Sequence, residues 1–169
     1  MLQAPVRIEG EERIRLGAGV FIGAGSWLQT LHQPGHPPAR LVIGDDTKCS
    51  GLCVISAAAQ ITLGRAVLLG RNVVIVDHNH ASADPTLAIA EQGIDKLRPV
   101  EIQEGAWLAQ NVVVCPGVSI GAHAVVGANS VVTRDLPPYC LAAGAPARVI
   151  RRREIPDADG AVAYPSEPL

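Results

Sequence analysis

The apolar positions of this chain recur neither every 3.6 residues, as on an amphipathic helix, nor in strict alternation, as on an ordinary strand, but every six. Core-type residues stand at Leu16, Ile22 and Leu28, at Ile43, Cys49 and Ile55, at Leu63, Leu69 and Ile75, and at Ile102, Leu108, Val114, Ile120, Val126 and Val132. Four residues beyond them runs a second, smaller class: Val20, Ser26, Thr47, Cys53, Ala59, Val67, Val73, Ala106, Val112, Val118, Ala124 and Ser130, broken only by His32, Asn79 and Leu136. Gly follows the core residue directly at Gly17, Gly23, Gly44, Gly64, Gly70, Gly121 and Gly127, which suits either unusual dihedrals or a close approach of two backbones. Each hexapeptide reads as a short strand and a bend.

The period breaks after Leu28, Ile55 and Ile75, where the next core residue lies 15, 8 and 27 positions on. Each break follows a third hexapeptide. Three hexapeptides therefore close one triangular coil of 18 residues, and insertions of nine, two and twenty-one residues leave at coil boundaries. Stacked coils let each strand pair with its counterparts above and below. The predicted fold is all-β, a parallel β-helix of about five triangular coils over residues 1–151, with inserted loops 29–40 and 76–99 and a short C-terminal cap. Pro137 and Pro138 are expected to end the last coil, AAGAPARVI to fold back over its open end, and residues 152–169 to form a tail. A β-sandwich would instead show alternation and turns every 8–12 residues.

Composition agrees with a narrow interior: aromatics are 3% of the 169 residues while hydrophobic residues are 48%. The formal net charge of −2, without basic runs, sets aside a nucleic-acid or anionic-membrane binder, because both need clustered Lys and Arg. No stretch approaches the roughly 20 apolar residues of a membrane span, and the first residues have no signal-peptide core, so a cytoplasmic protein without membrane insertion is expected. Cys49, Cys53, Cys115 and Cys140 form no CxxC pair and read as small core residues rather than metal ligands.

The segments LGAGVFIGAG, ITLGRAVLLGRNVVIV and SIGAHAVVGANSVVTRDLPPYCLAAGAPARVI resemble the left-handed β-helix hexapeptide-repeat acyltransferases, over roughly residues 14–151. Residues 100–151 are similar in detail to galactoside, maltose and serine acetyltransferases and to the O-acetyltransferases of surface-polysaccharide pathways. The left hand comes from the resemblance, since parallel crossovers otherwise favour the right. The resemblance implies acetyl-CoA as acyl donor, no metal, and a homotrimer with active sites between subunits. It also implies a small-molecule acceptor, a sugar or a sugar-containing compound, acetylated on a hydroxyl. The chain enters its first coil within about fifteen residues, without the helical segment of the galactoside and maltose enzymes, which lowers the weight of those acceptors.

Acetyl transfer to a hydroxyl needs a base to take the acceptor's proton, and histidine suits neutral pH. Residues 76–99, VDHNHASADPTLAIAEQGIDKLRP, carry two of the five histidines and make an expected active-site loop. Counted from Ile75, the catalytic histidine of the galactoside-type enzymes falls at His80, the first choice as base; the DHNH form leaves His78 as base or acceptor contact. Asp77 or Asp84 would orient the acting ring or contact the substrate. Positions matching the family's CoA contacts are Gln110, Ala128, Thr133, Arg134, Arg148 and Arg151, the arginines suited to phosphates. Trp107, before Leu108, is expected to point outward, as a wall of the acyl pocket or in a subunit interface. Trp27, His32 and His36 are interface or rim residues first. Two other readings stay open: a γ-type carbonic anhydrase with zinc on His78, His80 and His123, and a non-catalytic β-helix scaffold.

Overall fold

A computed structural model describes residues 1–152 of the chain. The hexapeptides build three parallel sheets around a triangular prism, and their registers follow the core residues. On face one Leu16, Ile43, Leu63, Ile102 and Ile120 lie above one another. Face two stacks Ile22, Cys49, Leu69, Leu108 and Val126, and face three Leu28, Ile55, Ile75, Val114 and Val132. All are buried except Leu16, which is 40% exposed because its strand, Ile14–Leu16, is the outermost of face one. Cys49, Cys53 and Cys140 are buried in this interior, and Cys115 is half-buried; all four are free thiols. Burial pushes the Cys115 and Cys140 thiols up.

The small class is buried wherever the hexapeptide is intact, from Val20 to Ser130, and Ala59, beside a two-residue insertion, is half-buried. After an insertion, the place two residues before the face-one core position goes to a larger aliphatic: Ile14, Leu41, Ile61 or Val100. Counting forward from the preceding core residue misses these four, since the insertion shifts the count.

The prism extends further at both ends than the period suggests. Leu2 bridges Ile22, and Arg7–Glu9 pairs with Trp27–Gln29 so that Ile8 lies beside Leu28. A 3₁₀ turn, Glu11–Arg13, then leads to face one. The chain thus joins the β-helix well before residue fifteen. At the other end Leu136, an exception to the small class in the sequence pattern, bridges Ile120 and is a buried core residue. Six residues on, Ala142 takes its place beside Val126 in the strand Cys140–Gly144. Pro137 and Pro138 therefore sit in a bend and do not end the stack. The segment AAGAPARVI makes a hairpin: Ala147–Arg152 runs antiparallel to Cys140–Gly144 as the outer strand of face two, protecting that sheet edge and not lying across the open end. Residues 153–169 of the expected tail lie outside the described residues.

The bends explain the glycines. A left-handed residue stands three positions after the core residue on the edge from face one to face two (Gly19, Asp46, Ala66, Gly105, His123, Tyr139) and on that from face two to face three (Gly25, Leu52, Asn72, Asn111, Asn129). The glycines directly after core residues have no positive φ and serve close approach instead. A Cβ on Gly64 would lie 2.7 Å from the Glu104 nitrogen, and one on Gly70 2.7 Å from the Ala109 carbonyl carbon. On the face two to three edge the asparagines stack: Asn72 Nδ2 donates to Asn111 Oδ1 at 3.0 Å, and Asn111 Nδ2 to Asn129 Oδ1 at 2.9 Å.

Candidate active site

Among the described residues, the insertions leave along the remaining edge, from face three back to face one. The Glu11–Arg13 turn, loop 29–40, the Ala58–Ala59 corner and loop 76–99 emerge there on successive coils. Together they frame a cleft of about 660 Å³ between Glu12, Arg13 and Arg15, the segment from His36 to Arg40, the corner from Ala58 to Gln60, and Leu97 with Pro99.

Loop 76–99 is fastened to this cleft at its root. Asp77 is wholly buried, and its two carboxylate oxygens accept from the backbone N–H groups of Ala58 (2.7 Å) and Ala59 (2.8 Å). Those amides belong to the two-residue insertion, which interrupts the ladder and would leave them without partners. Asp77 Oδ1 also lies 3.1 Å from His78 Nδ1, and the Arg98 N–H donates to the Asp77 carbonyl at 2.8 Å, pinning both ends of the loop at one residue. The buried Asp77 carboxylate is committed to these amides and placed to orient His78. The His78 side chain is 12% exposed. His80 is exposed and held in a short antiparallel ladder, Asn79–His80 against Ile94–Asp95, that stiffens the start of the loop.

Asp84 orients neither histidine. Its carboxylate accepts from the Thr86 N–H at 2.8 Å and from Thr86 Oγ1 at 2.6 Å, which holds its pKa below the usual value, while Gln92 bonds its backbone on both sides. It shapes the loop as a turn residue.

The six positions expected at the CoA site fall on different parts of the prism. Gln110 and Ala128 meet on the face two to three edge, where the Asn129 N–H donates to the Gln110 carbonyl. Arg148 and Arg151 are exposed on the hairpin strand of face two, opposite Ala143 and Leu141. Thr133 and Arg134 are exposed on the same edge as the histidines, after the last core residue of face three. Trp107 points outward from face two, 46% exposed between Leu68 and Val125. Trp27 also points outward but is covered by the Arg7 guanidinium, 4.5 Å from the ring centroid. His32 and His36 are exposed on loop 29–40.

His123 stacks on Tyr139, with ring centroids 5.2 Å apart, on the face one to two edge and so away from the edge carrying His78 and His80. Among the described residues no three His, Cys, Asp or Glu side chains are grouped to hold a metal ion.

A prism of stacked hexapeptides with one decorated edge defines the class: a left-handed parallel β-helix of hexapeptide repeats. Residues 99–134 match the bacterial transferase hexapeptide family, described as six repeats. The galactoside O-acetyltransferase of Escherichia coli is 39% identical over 161 residues, covering 92% of this chain and 73% of that one. WbbJ of Escherichia coli, named for O-acetyl transfer in lipopolysaccharide biosynthesis, is 30% identical over 158 residues, 90% of this chain and 78% of its own. The solved structure of the acetyltransferase VCA0836 of Vibrio cholerae with acetyl coenzyme A has a TM-score of 0.58 at 32% identity, covering 89% of this chain and 66% of that one. The chain belongs to the hexapeptide-repeat acetyltransferases. It also spans 48% of a fission-yeast relative named as an acetyltransferase, and 54% of PerB from Caulobacter crescentus, solved with CoA and GDP-perosamine. Among the described residues no helix is long and apolar enough to cross a membrane.

Proposed function

We propose that the protein is an acetyl-CoA-dependent O-acetyltransferase whose acceptor is a sugar or a sugar-containing compound, attacked directly within a ternary complex. The observation that carries this reading is the joint at Asp77, which ties the histidine loop to the corner of the cleft framed by every insertion of the chain. Acetyl-CoA supplies the acetyl group as an activated thioester. His80 takes the proton of the acceptor hydroxyl as its oxygen attacks the thioester carbonyl; the C–S bond then breaks, and CoA leaves as the thiol carrying that proton, while the exposure of His80 and its place in a stiff ladder suit a group that must reach a substrate. His78, held by Asp77, positions the root of the loop. The relatives named for galactoside and lipopolysaccharide O-acetylation, and PerB with its nucleotide sugar, support the acceptor class.

For the donor, Ala128 leaves room for a pantetheine arm along the edge, with Gln110 beside it. Arg134, Arg148 and Arg151 present exposed guanidinium groups without ion-pair partners among the described residues, fitted to phosphates. Gln110 and Ala128 stand on a different edge from His80. A homotrimer, in which a neighbour's edge meets this one, would bring the two sets together, and a cyclic trimer closes such head-to-tail contacts.

The Asp77–His78 hydrogen bond favours a second reading, in which His78 is the base with an oriented tautomer. Acetyl-CoA turnover, followed by free-thiol release against a panel of sugars and nucleotide sugars, separates the two. His80→Ala is expected to lower kcat by about 10²–10⁴ with acetyl-CoA binding retained, and His78→Ala to lower it less. The reverse ranking names His78, and the absence of acetyl-CoA binding by the intact protein sinks the transferase reading. Light scattering of the same samples is expected to give the mass of a trimer.

A further inference from the structure

The cleft beneath the histidine loop is more basic than acetylation of a neutral sugar requires. Three arginines line it, Arg13, Arg15 and Arg40, together with His36, while among the described residues Glu12 is the only carboxylate on its walls. Glu12 neutralises one of the three, its carboxylate 2.7 Å from Arg13. Among the described residues Arg13 Nε nevertheless has no hydrogen-bond partner although it is buried, an unmet donor of the kind that costs free energy. Arg15 is steadied by donating Nη1 to the carbonyls of Glu12 (3.0 Å) and Ile14 (3.1 Å), which leaves its other donors for a ligand. Arg40 starts a face-one strand, Arg40–Ile43, and among the described residues its guanidinium has no ion-pair or hydrogen-bond partner.

The basic residues come from two separate parts of the chain, and both are stiff. Arg13 and Arg15 flank Ile14, whose side chain is buried in the core, and Arg40 follows Pro37, Pro38 and the buried Ala39. Like charges gathered on a rigid wall repel one another in the free protein. An anion removes that repulsion and meets the guanidinium donors in bidentate pairs. The opposite wall, Ala58 and Ala59, is the corner that Asp77 ties to the histidine loop, so an acceptor seated in the cleft reaches toward the loop.

We propose that this cleft binds the anionic group of the acceptor, a phosphate or carboxylate carried by the sugar, through Arg15 and Arg40 with Arg13 behind them. The proposal rests on the acetyl-transfer reading for what happens to the acceptor, but the anion site itself does not depend on catalysis.

Calorimetric binding to the intact 169-residue chain at low salt tests it directly, with glucose 1-phosphate, glucuronate and neutral methyl glucoside as probes. The expected result is anion binding at least about tenfold tighter than the neutral sugar, weakening with added salt, and reduced about tenfold in both Arg40→Gln and Arg15→Gln. Circular dichroism establishes that the variants keep the fold, and Arg40, being exposed, tolerates Gln without strain. Preference for the phosphate assigns phosphorylated or nucleotide-linked sugars; preference for glucuronate assigns uronic acids. Equal binding of neutral and anionic sugars, or variants that bind glucose 1-phosphate as the wild type does, overturns the proposal. Acetyl-CoA turnover on the same samples keeps the two readings apart. Anion binding without turnover on any anionic sugar defeats the transferase reading and leaves the cleft assignment in place, whereas turnover of neutral sugars with no anion preference does the opposite.

Discussion

Single atoms decide the repeat. Where a glycine follows the core residue one coil lies directly against the next, and Gly64→Ala would drive a methyl group into the backbone of Gln103 and Glu104, neither of which can yield without shifting its strand. We expect a loss of about 1–3 kcal/mol, read as a lower denaturant midpoint with an unchanged slope. Two positions further on the demand is different, because the backbone turns left-handed and asparagine tolerates that conformation better than most residues. Asn111 also sits mid-ladder, bonded to Asn72 and Asn129. Asn111→Ala should cost about 1–2 kcal/mol, whereas Asn111→Gly, which keeps the turn and loses only the ladder, should cost less. Equal losses by chemical denaturation would show that the ladder and not the turn is what matters there.

Among the elements, the decorated edge is held by one buried carboxylate. Asp77 serves two amides that the two-residue insertion has taken out of the ladder, and Asp77→Asn turns an amide N–H₂ toward one of those donors. The expected loss is about 1–3 kcal/mol in thermal unfolding, with faster amide hydrogen exchange at Ala58 and Ala59; unchanged exchange there would refute the role. Most of the element layout could be read from the chain, because a six-residue period fits stacked short strands and neither a helix nor an alternating strand, and its interruptions mark coil boundaries directly. What escaped that reading lay where counting forward fails. Leu41, Ile61 and Val100 follow insertions, Leu136 follows a shortened step, and Leu2 and Ile8 precede the first complete triplet of faces. The histidines and the loop that bears them were visible as an interruption of the repeat. The turn that Asp84 makes with Thr86 was passed over in favour of a histidine partner. The pairing of Asp77 with His78 was among the readings their adjacency offered, but its service to the Ala58 and Ala59 amides was not legible, since those amides lie on a coil distant in sequence. The basic cleft was invisible for the same reason: Arg13, Arg15 and Arg40 meet only when coils stack.

For the whole molecule, the open sheet edges set the risk. A parallel stack ends in unpaired N–H and C=O groups, and on face two the hairpin Cys140–Arg152 covers them. Removing residues 140–169 should expose the edge at Val125–Val126 and uncover Val126 from Ala142, so the shortened chain is expected to associate in a concentration-dependent way by light scattering. A shortened chain with the same mass as the intact protein at every concentration would show that the hairpin is not needed as a guard.

The confinement of every insertion to a single edge makes the prism a ruler. Adding or deleting one whole coil of the repeat leaves all three faces in phase, and moves the last coil, with Thr133 and Arg134, along the axis by a strand spacing of about 4.8 Å relative to the cleft. A change of another length is absorbed as a loop where it falls at the decorated edge, as in loops 29–40 and 76–99, and puts the faces out of phase where it falls inside a coil. The distance between the basic cleft and the far end of that edge is therefore available only in whole steps, and an enzyme of this build adapts to a longer or shorter ligand by counting coils while fine adjustment is left to the loops.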